Sequence, residues 1–312
     1  MKIVTIVPRG KYDYLAHSVI EGLRKHKVNI IASDFGNTIE KSELYSEHDI
    51  IKHSHDADFI FAIWGKSPGR YHLLDKINKP EKTIYIDGSE WSFNGKSTKE
   101  QVLDSKIDPL KRRGNPWIND YMIGRVSHYF KRECYPQDIE EFGCIPLPFA
   151  ALDSYFKHYT VKKEIDLYCS FGQVNTGLRQ EIESECHKLG KNGLKVAITR
   201  DVPSSTYYEL ISKSYLAVDA FGGGECNARM FQILANQSCL FTEKPNILYP
   251  NPYVDGNTVI HYKDIHEFRH KLTYYLDNRA TIRLITENAF EHTKKYHTSY
   301  ARVKYIFDKI MR

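Results

Sequence analysis

The feature that most constrains this chain is a set of short, unbroken apolar runs, separated by stretches with helical spacing. Ile3-Val4-Thr5-Ile6-Val7 is the first, Val28 to Ala32 the second, Phe59-Ile60-Phe61-Ala62-Ile63 the third and Thr83-Ile84-Tyr85-Ile86 the fourth. A strand with one wet face alternates apolar and polar residues. A run without alternation is buried on both faces, as in a parallel sheet covered by helices. Between residues 12 and 25, Leu15, Val19, Ile20 and Leu23 share one helical face, and a further helix is expected around 70–77. Residues 89–120 read as a long polar excursion, and Pro146 and Pro148 interrupt regular structure. The rhythm then restarts. Strands are expected at 165–170, 194–198, 215–219, 238–242 and 258–260, and helices at 178–189, 204–213, 225–236, 264–277, 279–293 and 298–310. The expected class is therefore α/β, with two Rossmann-like domains facing a central cleft. The first spans 1–155 and the second 156–295. Residues 296–312 form a C-terminal helix placed to pack back on the first domain.

At 312 residues and 41% hydrophobic content, the chain can bury a sizeable core. No apolar run approaches the roughly 18 residues of a membrane span, and the strand-like start does not suit a signal peptide, so a cytoplasmic location is expected. The six cysteines (Cys134, Cys144, Cys169, Cys186, Cys226 and Cys239) contain no CxxC pair. They read as buried free thiols rather than zinc ligands or disulfides. A net charge of +5 suits an anionic ligand such as a nucleotide diphosphate, or a polyanionic acceptor such as nucleic acid or anionic lipid.

Ligands of open α/β sheets bind beyond the carboxyl ends of the strands. The richest segment of that kind is Asp219-Ala220-Phe221-Gly222-Gly223-Gly224-Glu225-Cys226-Asn227-Ala228-Arg229-Met230-Phe231-Gln232. Gly222, Gly223 and Gly224 permit close backbone approach and positive φ. The helix start behind them offers unpaired N–H groups to an anion. Glu225, read as lying in the first helical turn, can accept hydrogen bonds from sugar hydroxyls, and Arg229, one turn on, can reach a diphosphate. Asn227 and Gln232 complete the candidate set. The alternative, an i,i+4 surface pair of Glu225 and Arg229, leaves the three glycines without a reason. The spacing matches neither a dinucleotide-binding nor a Walker motif.

Gly222 to Ala235 resembles the donor loop of GT-B glycosyltransferases, in particular the family-1/4-like group typified by CgeB-type spore-maturation proteins. The tail is similar as well: Tyr253-Val254-Asp255-Gly256-Asn257-Thr258-Val259-Ile260, then Asp264 to Leu276, then Tyr296-His297-Thr298-Ser299-Tyr300-Ala301-Arg302. The likeness covers residues 165–305. It implies a GT-B fold and transfer of a sugar from a nucleotide-diphosphate donor, with a UDP-sugar first among donors and no further cofactor. It also implies retention of anomeric configuration, with the leaving phosphate able to take the acceptor proton. Such enzymes carry Glu where this chain has Gln232, at the position thought to hold the donor ribose. That departure bears on donor preference and on activity.

Other candidates are more open. Gly172 follows the strand at 165–170 and would face the diphosphate in similar enzymes. Arg179 closes the same loop, which would face the diphosphate, or is a solvated helix residue; Arg200 is a cation at the carboxyl end of the strand at 194–198, or a solvated residue. In the first domain, Asp13 reads as a base or a helix N-terminal acid. Asp87 is the preferred carboxylate there, and with Glu225 and Arg229 makes the expected catalytic set. Trp64, Trp91 and Trp117 can stack on a sugar or pack in the core. The basic run Lys106, Lys111, Arg112, Arg113, Arg125, Lys131 and Arg132 is a solvated surface, or contacts a phosphate-bearing acceptor. His17, His128 and His297 are isolated, and no metal motif is present, so metal independence is expected. A glycan, lipid or protein is the main acceptor expected. DNA with hydroxymethylated bases is the second, and a non-catalytic sugar-nucleotide binder is a third reading.

Overall fold

The computed structural model describes residues 1–7, 13–33, 39–64, 69–89, 118–157, 161–172 and 178–311. The expectations for Trp91, Lys106, Lys111, Arg112, Arg113 and Trp117 lie outside the described residues. Two compact units emerge. The first contains residues 1–150, 247–250 and 299–312; the second contains 151–246 and 251–298.

The first unit is built on strands β1 (Lys2–Ile6), β2 (Asn29–Ala32), β3 (Phe59–Trp64), β4 (Thr83–Asp87), β5 (His128–Lys131) and β6 (Ile145–Pro146). They form one sheet in the order β2-β1-β3-β4-β5-β6, and every pairing is parallel, for example Ile3 beside Phe59 and Ile60 beside Thr83. Helices α1 (Tyr14–Lys25), α2 (Glu47–Ser54), α3 (Tyr71–Ile77) and α4 (Pro136–Phe142) connect them. Asp13 is the N-cap of α1, accepting from Leu15 N at 2.8 Å and Ala16 N at 3.1 Å. Asp13 therefore starts the helix as a capping acid. Helix α2 was not anticipated. Its apolar content is low, and it starts on a Ser46 cap that accepts from Asp49 N. Val4, Ile6, Ile60, Ala62, Trp64 and Tyr85 are fully buried in the core of this unit. Trp64 packs edge-on to Tyr71 and against Tyr85, so it is a core residue and not a stacking platform.

In the second unit β7 (Ile165–Cys169), β8 (Val196–Ile198), β9 (Ser214–Asp219), β10 (Cys239–Glu243) and β11 (Ile260–Tyr262) pair in the order β11-β10-β9-β7-β8, again all parallel. Helices α5 (Arg179–Lys191), α6 (Ser204–Lys213), α7 (Ala228–Ala235), α8 (Ile265–Asp277) and α9 (Arg279–Tyr296) belong to this unit. The last helix, α10 (Ser299–Ile310), belongs to the first unit and packs on α1. Gly22 makes that approach possible, because a Cβ there would lie 2.3 Å from the Ser299 carbonyl oxygen. All six cysteines are buried, and none of them forms a disulfide among the described residues. Among the described residues, no helix is long and apolar enough to cross a membrane.

Candidate active site

Strand β9 sits in the middle of its sheet and ends in Asp219, which is 2% exposed. The chain then turns through Ala220 to Asn227 before α7 begins at Ala228. Asn227 is the N-cap by backbone conformation, and its side chain points back to the strand end, donating to Ala220 O at 3.1 Å. The same amide lies 3.4 Å from Asp219 Oδ2. Arg229, in the first turn of α7, donates from Nη1 to Asp219 Oδ1 at 3.3 Å. Its Nε is buried and meets no acceptor among the described residues.

A second guanidinium arrives from another element. Arg179 opens α5 and donates from Nε and Nη2 to Ala220 O, at 3.1 and 2.9 Å. Phe171, just beyond β7, faces both cations: the Arg179 and Arg229 guanidinium carbons lie 5.4 and 5.1 Å from its ring centroid. Both distances are within cation–π range. Burial pushes the Asp219 carboxyl up from its ordinary value, against the opposing pull of Arg229, Arg179 and the Asn227 amide. The strand end thus gathers two guanidinium groups about one buried carboxyl.

In the glycine loop, Gly222 is required by space rather than by left-handed backbone. Among the described residues the positive-φ glycines are Gly124, Gly143, Gly193 and Gly256, none of them in this loop. A Cβ on Gly222 would lie 2.9 Å from Arg179 Nη2. Gly222 N instead closes a turn on Gly224 O at 3.1 Å, with Gly223 between them.

Several expected placements are corrected. Glu225 precedes α7 and is not in its first turn, so it shares no helical face with Arg229. It is buried and accepts from Asn246 N at 2.6 Å and Asn246 Nδ2 at 3.2 Å, clasping the segment after β10. Arg200 does not join the cluster. It pairs with Glu183 of α5 at 2.6 Å on an exposed surface. Gly172 is exposed beside Phe171. Gln232 lies further along α7, and its Oε1 accepts from the Tyr207 hydroxyl at 3.0 Å. Burial raises the Tyr207 phenol from its ordinary value.

In the first unit, Asp87 ends β4 fully buried. It accepts from Ser89 N at 2.9 Å and from the Tyr129 hydroxyl at 2.7 Å, with Lys131 Nζ 3.8 Å away. Lys131 and Arg132, expected in a basic surface run, are 1% and 2% exposed. Only Arg125 of the described members of that run is exposed, and it pairs with Asp75 at 3.2 Å.

The sequence reading missed Phe171, Tyr207 and the role of Asp219. Phe171 was legible as an aromatic just beyond a strand's carboxyl end, and Asp219 as the acid that ends the strand before the glycines. Nothing in the spacing ties Tyr207 to Gln232; α6 brings them together.

Residues 166–308, from β7 through α10, match the family model described as glycosyl transferase-like. That stretch of the chain is similar to glycosyltransferases. No curated protein matches the sequence. The GT-B architecture is shared with solved structures along the whole chain. An α-glucosyltransferase in complex with UDP-glucose and DNA containing an abasic site is 12% identical, with 100% of each chain covered and a TM-score of 0.59. Anabaena HepE in complex with UDP and glucose is 10% identical, with 100% of this chain and 99% of that chain covered and a TM-score of 0.61. A glycosyltransferase from Rickettsia africae is 8% identical, with 100% and 98% covered and a TM-score of 0.57.

Proposed function

We propose that this chain is a glycosyltransferase that moves a sugar from a UDP-sugar to an acceptor hydroxyl with retention and without a metal ion, and that its second unit grips the donor diphosphate. The observation that carries the reading is the convergence of Arg179 and Arg229 on the carboxyl end of β9, beside the α7 N-terminus. Both cations are planar, permanently charged and suited to phosphate oxygens. Arg229 holds Asp219 by one long bond and keeps a buried N–H without an acceptor among the described residues. The helix N-terminus adds aligned N–H dipoles. Charge that builds on the leaving diphosphate meets donors already in place, and this is the largest single source of stabilisation in such chemistry. With retention, the leaving phosphate itself takes the acceptor proton, and no side-chain base is required. Glu225, clasped by Asn246, acts in this reading through the loop it holds and not by direct contact with the sugar. Asp87 orders the strand end of the first unit, which is assigned to the acceptor.

A glycan, lipid or protein is the acceptor of choice. DNA is the second reading, supported by the full-length likeness to an α-glucosyltransferase solved with DNA and by the net charge of +5. DNA binding that weakens steeply with salt favours it, and salt-independent or absent binding removes it. The central test is Arg229→Ala. With UDP-glucose as donor, turnover or donor hydrolysis falls about 100-fold or more. Near-wild-type rates refute the assignment of Arg229 to the leaving group.

A further inference from the structure

Helix α7 carries two side-chain donors in line. Arg229 and Gln232 are three residues apart, so they share a helical face and lie about 4.5 Å apart along the axis. Arg229 Nε is buried and meets no acceptor among the described residues. Gln232 is half-buried, and the two ends of its amide differ. Oε1 accepts from the Tyr207 hydroxyl at 3.0 Å. Nε2 meets no acceptor among the described residues.

Tyr207 is itself held in place. Its ring centroid lies 5.3 Å from that of Tyr208 and 6.0 Å from that of Tyr168. The Tyr168 hydroxyl in turn shares a 2.7 Å bond with Thr199 Oγ1, just beyond β8. Burial raises the Tyr207 phenol, so its proton stays on and is donated to Gln232. An amide is ambivalent: half a turn about its last bond exchanges a C=O acceptor for an N–H donor in the same volume. Here that half turn takes the acceptor away from the Tyr207 proton. The bond therefore fixes the polarity of Gln232, with Oε1 toward α6 and Nε2 left for a ligand. A carboxylate at this position presents acceptors only.

We propose that Tyr207 is a specificity-determining residue of the donor site: by holding Gln232 Oε1 it turns Nε2 to the ribose of the nucleotide, which is read as a hydrogen-bond acceptor. The assignment rests on the placement of the donor diphosphate at Arg229. Of the two groups that flank the diphosphate in a UDP-sugar, the nucleoside is the aromatic one. Tyr207, with Tyr168 next to it, puts aromatic rings beside Gln232. Ribose lies between the diphosphate and the base, and a hydroxyl oxygen of it takes the Nε2 proton. The proton of that hydroxyl is then not required, whereas a carboxylate in place of Gln232 requires it.

The test is calorimetric titration of the full chain with UDP, its 2′- and 3′-deoxy analogues and its 2′- and 3′-O-methyl ethers. A deoxy analogue lacks both the oxygen and its proton; an ether keeps the oxygen and lacks the proton. At one of the two positions the deoxy analogue binds the wild-type chain about tenfold more weakly than UDP. At that position Gln232→Glu lowers the ratio of ether to UDP affinity about tenfold below the wild-type ratio, and the bulk of the methyl group, present in both proteins, cancels. Tyr207→Phe releases the amide, so the deoxy penalty shrinks to about threefold or less, while inorganic pyrophosphate binds as it does to the wild type. An ether-to-UDP ratio that Gln232→Glu leaves unchanged overturns the polarity. Uniform weakening of UDP, the deoxy analogues and pyrophosphate by Tyr207→Phe gives Tyr207 a purely structural part and overturns its role. UDP binding that Arg229→Ala leaves unchanged removes the diphosphate placement and this assignment with it. UDP binding that needs Arg229 but is indifferent to the other two variants sinks this assignment alone.

Discussion

Replacing Gly222 by alanine tests the donor-site geometry through a single methyl group. The added Cβ would lie 2.9 Å from Arg179 Nη2, closer than a real Cβ contact allows. The backbone on the glycine side is tied by the Gly222 N to Gly224 O bond, so the guanidinium tip has to move. Moving it forfeits the 2.9 Å bond from Nη2 to Ala220 O, while the 3.1 Å bond from Nε survives a small rotation. A hydrogen bond from a charged donor contributes about 1.5–3 kcal/mol. That is a fall of roughly 3–12 °C in Tm for a unit of this size. Affinity for UDP-glucose falls about tenfold if Arg179 helps to hold the diphosphate. Thermal melts and calorimetric titration of Gly222→Ala, Arg179→Ala and the double variant form a closed cycle. With Arg179 truncated the methyl group has nothing to displace, so its cost should drop below about 0.5 kcal/mol. An equal cost of Gly222→Ala with and without the Arg179 side chain refutes the reasoning.

Gln232→Glu replaces an amide with a carboxylate beside the Tyr207 hydroxyl, which can donate to either. Nucleotide affinity or preference among UDP, GDP and dTDP is expected to shift about tenfold, and identical binding profiles would take Gln232 out of the donor site. A strong chelator is expected to leave turnover unchanged; loss of turnover that added Mg²⁺ or Mn²⁺ restores would reject metal independence. Asp219 gives a pH dependence. An incoming diphosphate draws on Arg229 and raises the Asp219 carboxyl further, so binding takes up protons and UDP-glucose affinity declines as pH rises through the folded-state value. Calorimetry in two buffers of different ionisation enthalpy reads this uptake, and its persistence in Asp219→Asn would sink the assignment.

The sheet strands were legible because they are buried on both faces and read as runs. The ends of β9 and of α6 at Lys213 were matched closely, since the boundaries coincide with changes from apolar to polar residues. The strand at 258–260 was misplaced by two residues and is Ile260–Tyr262, because Thr258 and Val259 carry the β-branched signal but belong to the turn before it. The start of α7 was set three residues early for a related reason. Glu225 looks like a first-turn acid, yet its carboxylate is taken by Asn246, 21 positions along the chain. Local spacing carries no record of such a partner. The same limit hid the Arg179 contact. Arg179 was read as a residue near the diphosphate loop, but the carbonyl it grips lies at the end of another strand.

The two units handle the same problem in opposite ways. Each ends a central strand in a buried aspartate, Asp87 on β4 and Asp219 on β9, and an unpaired carboxylate in such a place is costly. Asp87 is answered at short range, by Ser89 N at 2.9 Å and Tyr129 at 2.7 Å. Tyr129 in turn accepts from Asn119 N at 2.9 Å, and Asn119 donates to Tyr85 at 3.1 Å, so the strand end is locked into the core. Among the described residues, Asp219 is met by side-chain donors only at 3.3 Å or more, from Arg229 and Asn227. Bonds of that length are weak, and the carboxyl stays raised by burial. A loosely compensated acid with two cations beside it can release a guanidinium to a better anion at little cost, whereas a tightly satisfied one cannot. The asymmetry gives a physical reason for assigning the diphosphate to the β9 end: there Arg229 is held to its carboxyl by one 3.3 Å bond and keeps a buried N–H without an acceptor among the described residues, a contact that a phosphate can outcompete.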